Sequence, residues 1–217
     1  MTSPPVALVV GGSRGLGLLI AEELARRGHL RRRGRGHIGT VTSIGGMVSP
    51  PHLLPYATAK FGAVGFSDGL AAALQGTGVT ATTIVPGLMR TGSHVRASFT
   101  GAAEKEFAWF GPAAPLPGLS IDAERAARRM VDAVLAGKPM VMLSPLTHIG
   151  VRVHGLLPGT TTLLMGLANR MLPGLGEGSG RSARIEGREA ERRLDSTVVT
   201  TLTTWGRKAA HRFNERP

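Results

Sequence analysis

Tyr56-Ala-Thr-Ala-Lys60 sets a phenol and an ammonium four residues apart. On a helix that spacing puts both side chains on one face, within reach of a shared ligand. A neighbouring ammonium favours the phenolate, which suits Tyr56 to pass a proton to or from an alcohol oxygen. An amphipathic helix can also carry the pair by chance. Ser43 stands thirteen residues earlier, at the end of a predicted strand. Ligands in open α/β sheets bind beyond the strand ends, so its hydroxyl would face the same crevice. A serine there is otherwise an ordinary turn residue. Pro86-Gly87-Leu-Met-Arg-Thr91 also follows a strand directly, as a ligand loop or a plain turn. Finally, Gly11, Gly15 and Gly17 of GGSRGLG lie between an apolar run and a helix. Glycine at such a turn lets backbone approach a diphosphate held by free helix N–H groups, although packing alone also selects it.

The elements that would position these groups alternate. Val6 to Val10 is a continuous apolar run, as in a strand buried on both faces of a parallel sheet. In the helix after the glycine turn, Leu16, Leu19, Ile20 and Leu24 form an apolar face, while Glu22, Glu23, Arg26 and Arg27 lie off it. A second strand is predicted over Ile38–Ser43, and a long helix from Tyr56 to about Gln75, with Phe61, Val64, Phe66, Leu70 and Leu74 apolar. Gly76 and Gly78 would end it. A third strand covers Thr80–Val85 and a fourth Met140–Leu143. Between them, residues 92–119 read as a long Gly/Pro-rich loop with scattered Phe99, Phe107, Trp109 and Phe110, a candidate lid. Ser120 is the expected N-cap of a helix that buries Ala127, Met130, Val131, Val134 and Leu135 and closes at Gly137. Residues 149–172 look helical and apolar, interrupted at Pro158-Gly159, and the polar tail from Gly174 holds a basic helical stretch that need not dock.

The order GGSRGLG, VTSIGG, YATAK, VPGLMRTG resembles the short-chain dehydrogenase/reductase family, from about Val6 to Leu143. That resemblance implies hydride transfer between a nicotinamide cofactor and an alcohol or carbonyl compound. By it Tyr56 is the acid/base, Lys60 holds the nicotinamide ribose and tunes Tyr56, and Ser43 hydrogen-bonds the substrate oxygen. Gly11, Ser13, Arg14, Gly15, Leu16 and Gly17 would line the cofactor phosphates, and Pro86, Gly87 and Thr91 the nicotinamide end. The cofactor would be NADP or NAD, with Arg14 resembling members that favour NADP. The fold implied is α/β, a cut-down Rossmann-like parallel sheet of about four strands flanked by helices. Residues 1–145 would form this shortened domain and 146–217 a helical C-terminal extension with a polar tail.

The chain departs from the family in one block. Gly17 is only 39 residues before Tyr56. The second, third and fourth strands of the family sheet are missing, with the adenosine-ribose contact and the catalytic Asn, about a hundred residues in all. The simplest account is an internal deletion near Leu30. Direct pairing of the first and serine strands would then move Ser43 and Tyr56 by ~4.8 Å relative to the phosphate turn, and misplacement by about 1 Å already costs about a hundredfold in rate. Weak cofactor binding and little turnover are therefore expected, and a silent remnant acting at most as a binding protein is the alternative. Family dimers use the helix of Tyr56 together with one that is almost wholly missing here, which leaves homodimer formation open.

Composition narrows the rest. The 217 residues, 42% hydrophobic and 18% charged, suit one globular domain. With no cysteine, a disulfide framework or thiolate metal site is excluded, and the histidines show no metal-ligand spacing, so no metal is expected. No apolar run is long enough to span a membrane, which leaves peripheral contact by 149–172 as an option; packing against the core or a partner chain is the preferred reading there. A cytoplasmic setting is the expectation. The net charge of +12 comes from 22 Arg and four Lys against 14 acids. Arg31, Arg32, Arg33 and Arg35 form a cluster, but no aromatics interleave it, and specific nucleic-acid binding is not expected. The substrate would be a small alcohol or carbonyl compound, apolar if the aromatic segment covers it.

Overall fold

The computed structural model describes Ile20, Glu23 and residues 36–99, 102–113, 119–172 and 185–213. The predicted first strand, the glycine turn from Gly11 to Gly17 and the Arg31–Arg35 cluster lie outside the described residues.

The centre is a parallel sheet of three strands, β1 (Gly36–Val41), β2 (Val79–Val85) and β6 (Met140–Met142), in the order β1-β2-β6. The register runs from Gly36 opposite Val79 to Val41 opposite Ile84, and from Thr83 opposite Met140 to Val85 opposite Met142. β2 is central, with its last five residues buried, and its apolar-plus-threonine sequence VTATTIV suits a strand covered on both faces. Helix α1 (Leu54–Ala73) makes the crossover from β1 to β2, the unit that joins neighbouring parallel strands. Gly76 and Gly78, at φ +80° and +81°, then turn the chain into β2 as the sequence anticipates.

The inner face of α1 is not the one its large apolar residues suggested. Phe61 and Phe66 are exposed, and the buried residues are Ala57 and Ser67. The helix lies close to the sheet, where small side chains fit. The Thr83 hydroxyl donates to the Asp68 carboxylate at 2.6 Å, and lies 2.9 Å from the Ser67 hydroxyl.

Helix α3 (Ala123–Leu135) supplies the main core. Ala126 and Met130 pack with Ile84 and Leu143, joined by Ile20, while Ala123 and Ala127 pack with Phe213. The helix ends as expected at Gly137, φ +65°. Its N-cap is Asp122, whose carboxylate accepts from Arg125 N–H at 3.1 Å, and not Ser120. Ser120 instead opens β5 (Ser120–Asp122), a short strand parallel to β3 (Leu88–Arg90). Ile20 packs on the core as its predicted face requires, whereas Glu23, placed off that face by sequence, is 8% exposed.

The loop predicted over 92–119 carries structure of its own. A 3-10 turn, Ser93–Arg96, and strand β4 (Ser98–Phe99) precede helix α2 (Ala103–Ala113). Phe99 meets Phe107 and Phe110 edge-on, at centroid distances of 5.8 and 6.0 Å, and Phe107 is fully buried. Phe99, Phe107 and Phe110 hold the segment together, while Trp109 is exposed. The tail docks on it: β7 (Ile185–Glu186) pairs antiparallel with β4, followed by α6 (Gly187–Leu194), α7 (Thr197–Leu202) and α8 (Thr204–Arg212). Glu191 of α6 accepts from Arg207 of α8 at 2.7 Å and from the buried Thr203 hydroxyl. Before the tail, α4 (Pro145–Leu156) and α5 (Pro158–Asn169) form the helical pair expected over 149–172, starting four residues earlier and broken at Pro158 as anticipated.

Candidate active site

β1 ends at Val41, and Ser43 caps the 3-10 turn Ile44–Gly46 that follows. The Ser43 hydroxyl accepts from Gly45 N–H at 3.0 Å, which fixes its position at the strand mouth. The turn is tied to the next strand end: Thr42 N–H donates to the Ile84 carbonyl and Ile44 N–H to the Pro86 carbonyl, both at 2.8 Å. Ser43 and Pro86 are thus held side by side across the sheet.

Tyr56 stands in the first turn of α1, 44% exposed, with the edge of its ring against Gly45. A Cβ on Gly45 would lie 3.0 Å from the ring and 3.5 Å from the Ser43 hydroxyl, so a single glycine has both groups within contact distance. One turn on, Lys60 donates to the Val41 carbonyl at 3.1 Å, with its ammonium 5.8 Å from the Tyr56 ring centre. Burial pushes the Lys60 ammonium below its ordinary pKa of 10.5. Gly46 makes this close approach of turn and helix possible, since a Cβ there would stand 2.6 Å from the Lys60 carbonyl oxygen.

The loop after β2 divides. Pro86 is buried at the sheet end, and Gly87 packs on a hydroxyl pair, Ser144 and Thr147, at the start of α4. These two hydroxyls lie 2.9 Å apart and Ser144 caps α4 by accepting from Thr147 N–H. The sequence reading passed them over, although Ser-Pro before an apolar run is a helix-start signal. Thr91 is buried and donates to Ser93 at 3.0 Å, a turn-forming bond pointing within its own loop. The Ser43, Tyr56, Lys60 and Pro86 positions therefore converge, Gly87 borders them, and Thr91 is held by a bond to its own loop. The phosphate-side residues Gly11, Ser13, Arg14, Gly15, Leu16 and Gly17 lie outside the described residues.

The described side of this site offers donors of the kind a nicotinamide ribose would need. Tyr56 is open to a ligand, and an ammonium has three N–H donors, of which the Val41 carbonyl engages one.

These elements form a parallel β–α–β crossover with a capped serine at one strand mouth and a tyrosine–lysine pair on the crossover helix. Residues 28–99, which hold β1, the serine turn, α1 and β2, match the family described as short chain dehydrogenase. Over this region the chain is similar to members of the short-chain dehydrogenase/reductase family. It is 31% identical over 145 residues to human 17-beta-hydroxysteroid dehydrogenase 13, covering 65% of this chain and 42% of that protein. It is 47% identical over 66 residues to human estradiol 17-beta-dehydrogenase 11, covering 29% of this chain and 22% of that protein. Among solved structures, the TT0495 protein of Thermus thermophilus aligns with a TM-score of 0.47 at 16% identity, covering 64% of this chain and 97% of that one. The chain thus spans less than half the length of these curated relatives, which is consistent with the internal deletion that its motif spacing implies.

Proposed function

We propose that the chain transfers hydride between NADP(H) or NAD(H) and an alcohol or carbonyl compound, with Ser43, Tyr56 and Lys60 as its working groups. The observation that supports this most is the shared contact at Gly45, which puts the Ser43 hydroxyl and the Tyr56 ring around one small space beside Lys60. In the reductive direction, Ser43 hydrogen-bonds the substrate carbonyl oxygen and orients it. Tyr56 delivers its phenolic proton to that oxygen, and takes a proton from the alcohol in the reverse direction. Lys60, anchored at Val41, holds its charge beside the phenol and favours the phenolate that this transfer leaves. A bound nicotinamide supplies or accepts the hydride. The resemblance of Arg14 to members that favour NADP makes the 2′-phosphorylated cofactor the preferred one in this proposal. The likeness to a protein named 17-beta-hydroxysteroid dehydrogenase 13 makes a hydroxysteroid a substrate to test.

Titration with NADPH, followed by nicotinamide fluorescence, tests this reading beside a carbonyl-reduction assay of the parent and Tyr56→Phe. The expected result is weak but saturable binding and slow turnover, with turnover in the variant lower by roughly 10²–10⁴-fold. Absence of binding and turnover in a folded parent chain would overturn the reading in favour of a silent remnant.

A further inference from the structure

Among the described residues, α4 and α5 carry a run of exposed large apolar side chains. On α4, Leu146, Ile149, Val153 and Leu156 are all exposed and recur at helical spacing, within roughly 100° of arc at 3.6 residues per turn. On α5, Leu163, Leu164 and Leu167 make a second stripe of similar width, and Met171, 82% exposed, follows just beyond its end. The opposite faces look inward. Thr147 of α4 and Thr161 of α5 are buried, and His154 Nδ1 lies 2.6 Å from the Thr161 hydroxyl, pinning the two helices together. Gly150 rests on Ile44, next to the serine turn, so the pair borders the candidate active site. Apolar stripes of this extent on a monomer mark a surface that something covers.

Charge selects the occupant. Between Asp132 and Glu177 the sequence contains no acidic residue, while Arg152 stands at the edge of the α4 stripe and Arg170 at the C-terminal end of α5. A two-fold contact between copies would bring these arginines toward their own equivalents with no carboxylate from either helix to answer them. It would also press together two chains that each carry +12. An anionic lipid surface meets both demands. Leucines enter the headgroup boundary, and arginine stems run along the apolar layer with their charges at the phosphates. Among the described residues no helix is long and apolar enough to cross a membrane.

We infer that α4 and α5 dock the protein on an anionic lipid bilayer surface, with the serine turn that Gly150 borders held beside it. Flotation of the full chain with phosphatidylcholine vesicles, with and without phosphatidylserine, tests this. Binding is expected with phosphatidylserine, and roughly tenfold weaker without it. Combining Ile149→Ser, Leu163→Ser and Leu167→Ser should cut binding roughly tenfold or more, with an unchanged circular dichroism spectrum because the three side chains are exposed. Hydrogen exchange on vesicles should slow over 145–172. The proposal is overturned if the parent does not float, or if the triple variant floats equally well, which would shift the binding to the Arg31–Arg35 cluster. It is also overturned if sedimentation shows a dimer that the same triple variant breaks, which would assign the face to a second copy.

Discussion

Lys60 donates across 3.1 Å to the carbonyl of Val41, so the ammonium of the candidate site is anchored to the last residue of β1. The bond carries the helix register into the strand end, and it holds a charge where burial disfavours one. The folded-state pKa of Lys60 therefore lies below its ordinary 10.5. In the window between these two values the unfolded chain binds more protons, so stability rises with pH there. Denaturant midpoints from neutral pH upward should climb in the parent relative to Lys60→Met as pH approaches 10.5. Equal pH slopes for the two proteins would contradict this, and turnover should fall in the variant at every pH.

Gly46 is held against the Lys60 backbone more tightly than any side chain permits. Backbone cannot swing aside as a side-chain end can, so Gly46→Ala must shift α1 or the serine turn. A cost of about 1–3 kcal/mol is expected. Carbonyl reduction should drop further than stability alone explains, since a shift of about 1 Å can cost about a hundredfold in rate. Thermal melts paired with initial rates separate the two effects.

Thr82 lies in the buried centre of β2, and its hydroxyl oxygen has no hydrogen-bond partner among the described residues. The desolvation penalty of that hydroxyl is uncompensated, and valine has nearly the same shape. Thr82→Val should raise stability by about 1–2 kcal/mol, read as a higher denaturant midpoint with an unchanged slope. A lower midpoint would show that the hydroxyl is satisfied.

Glu191 accepts from Arg207 and Thr203, and its side chain is only 12% exposed. Removing it leaves a half-buried guanidinium and a buried hydroxyl without their shared acceptor. Glu191→Ala should cost about 2–3 kcal/mol of local stability. Faster trypsin cleavage within 185–213 is the expected readout, and an unchanged digestion pattern would mean that the tail does not depend on this contact.

How far the sequence reaches depends on the range of the forces involved. Period-two and period-3.6 patterns, glycine stops and proline breaks act within a few residues. They sufficed for β1, α1, β2, α3, β6 and the α4–α5 break, and for the order Ser43, Tyr56, Lys60 that carries the family resemblance. What tertiary structure decided concerns contacts between distant segments. Phe61 and Phe66 of α1 are exposed because the close approach to β2 admits only Ala57 and Ser67. The segment 92–119 acquires a helix because Phe99, Phe107 and Phe110 meet one another and the tail adds a strand beside it. The Lys60–Val41 anchor and the Gly46 contact exist only once α1 lies on the strand end, nineteen residues of sequence separating the first pair. Local pattern named the groups that could do chemistry; packing of the crossover set how closely they stand.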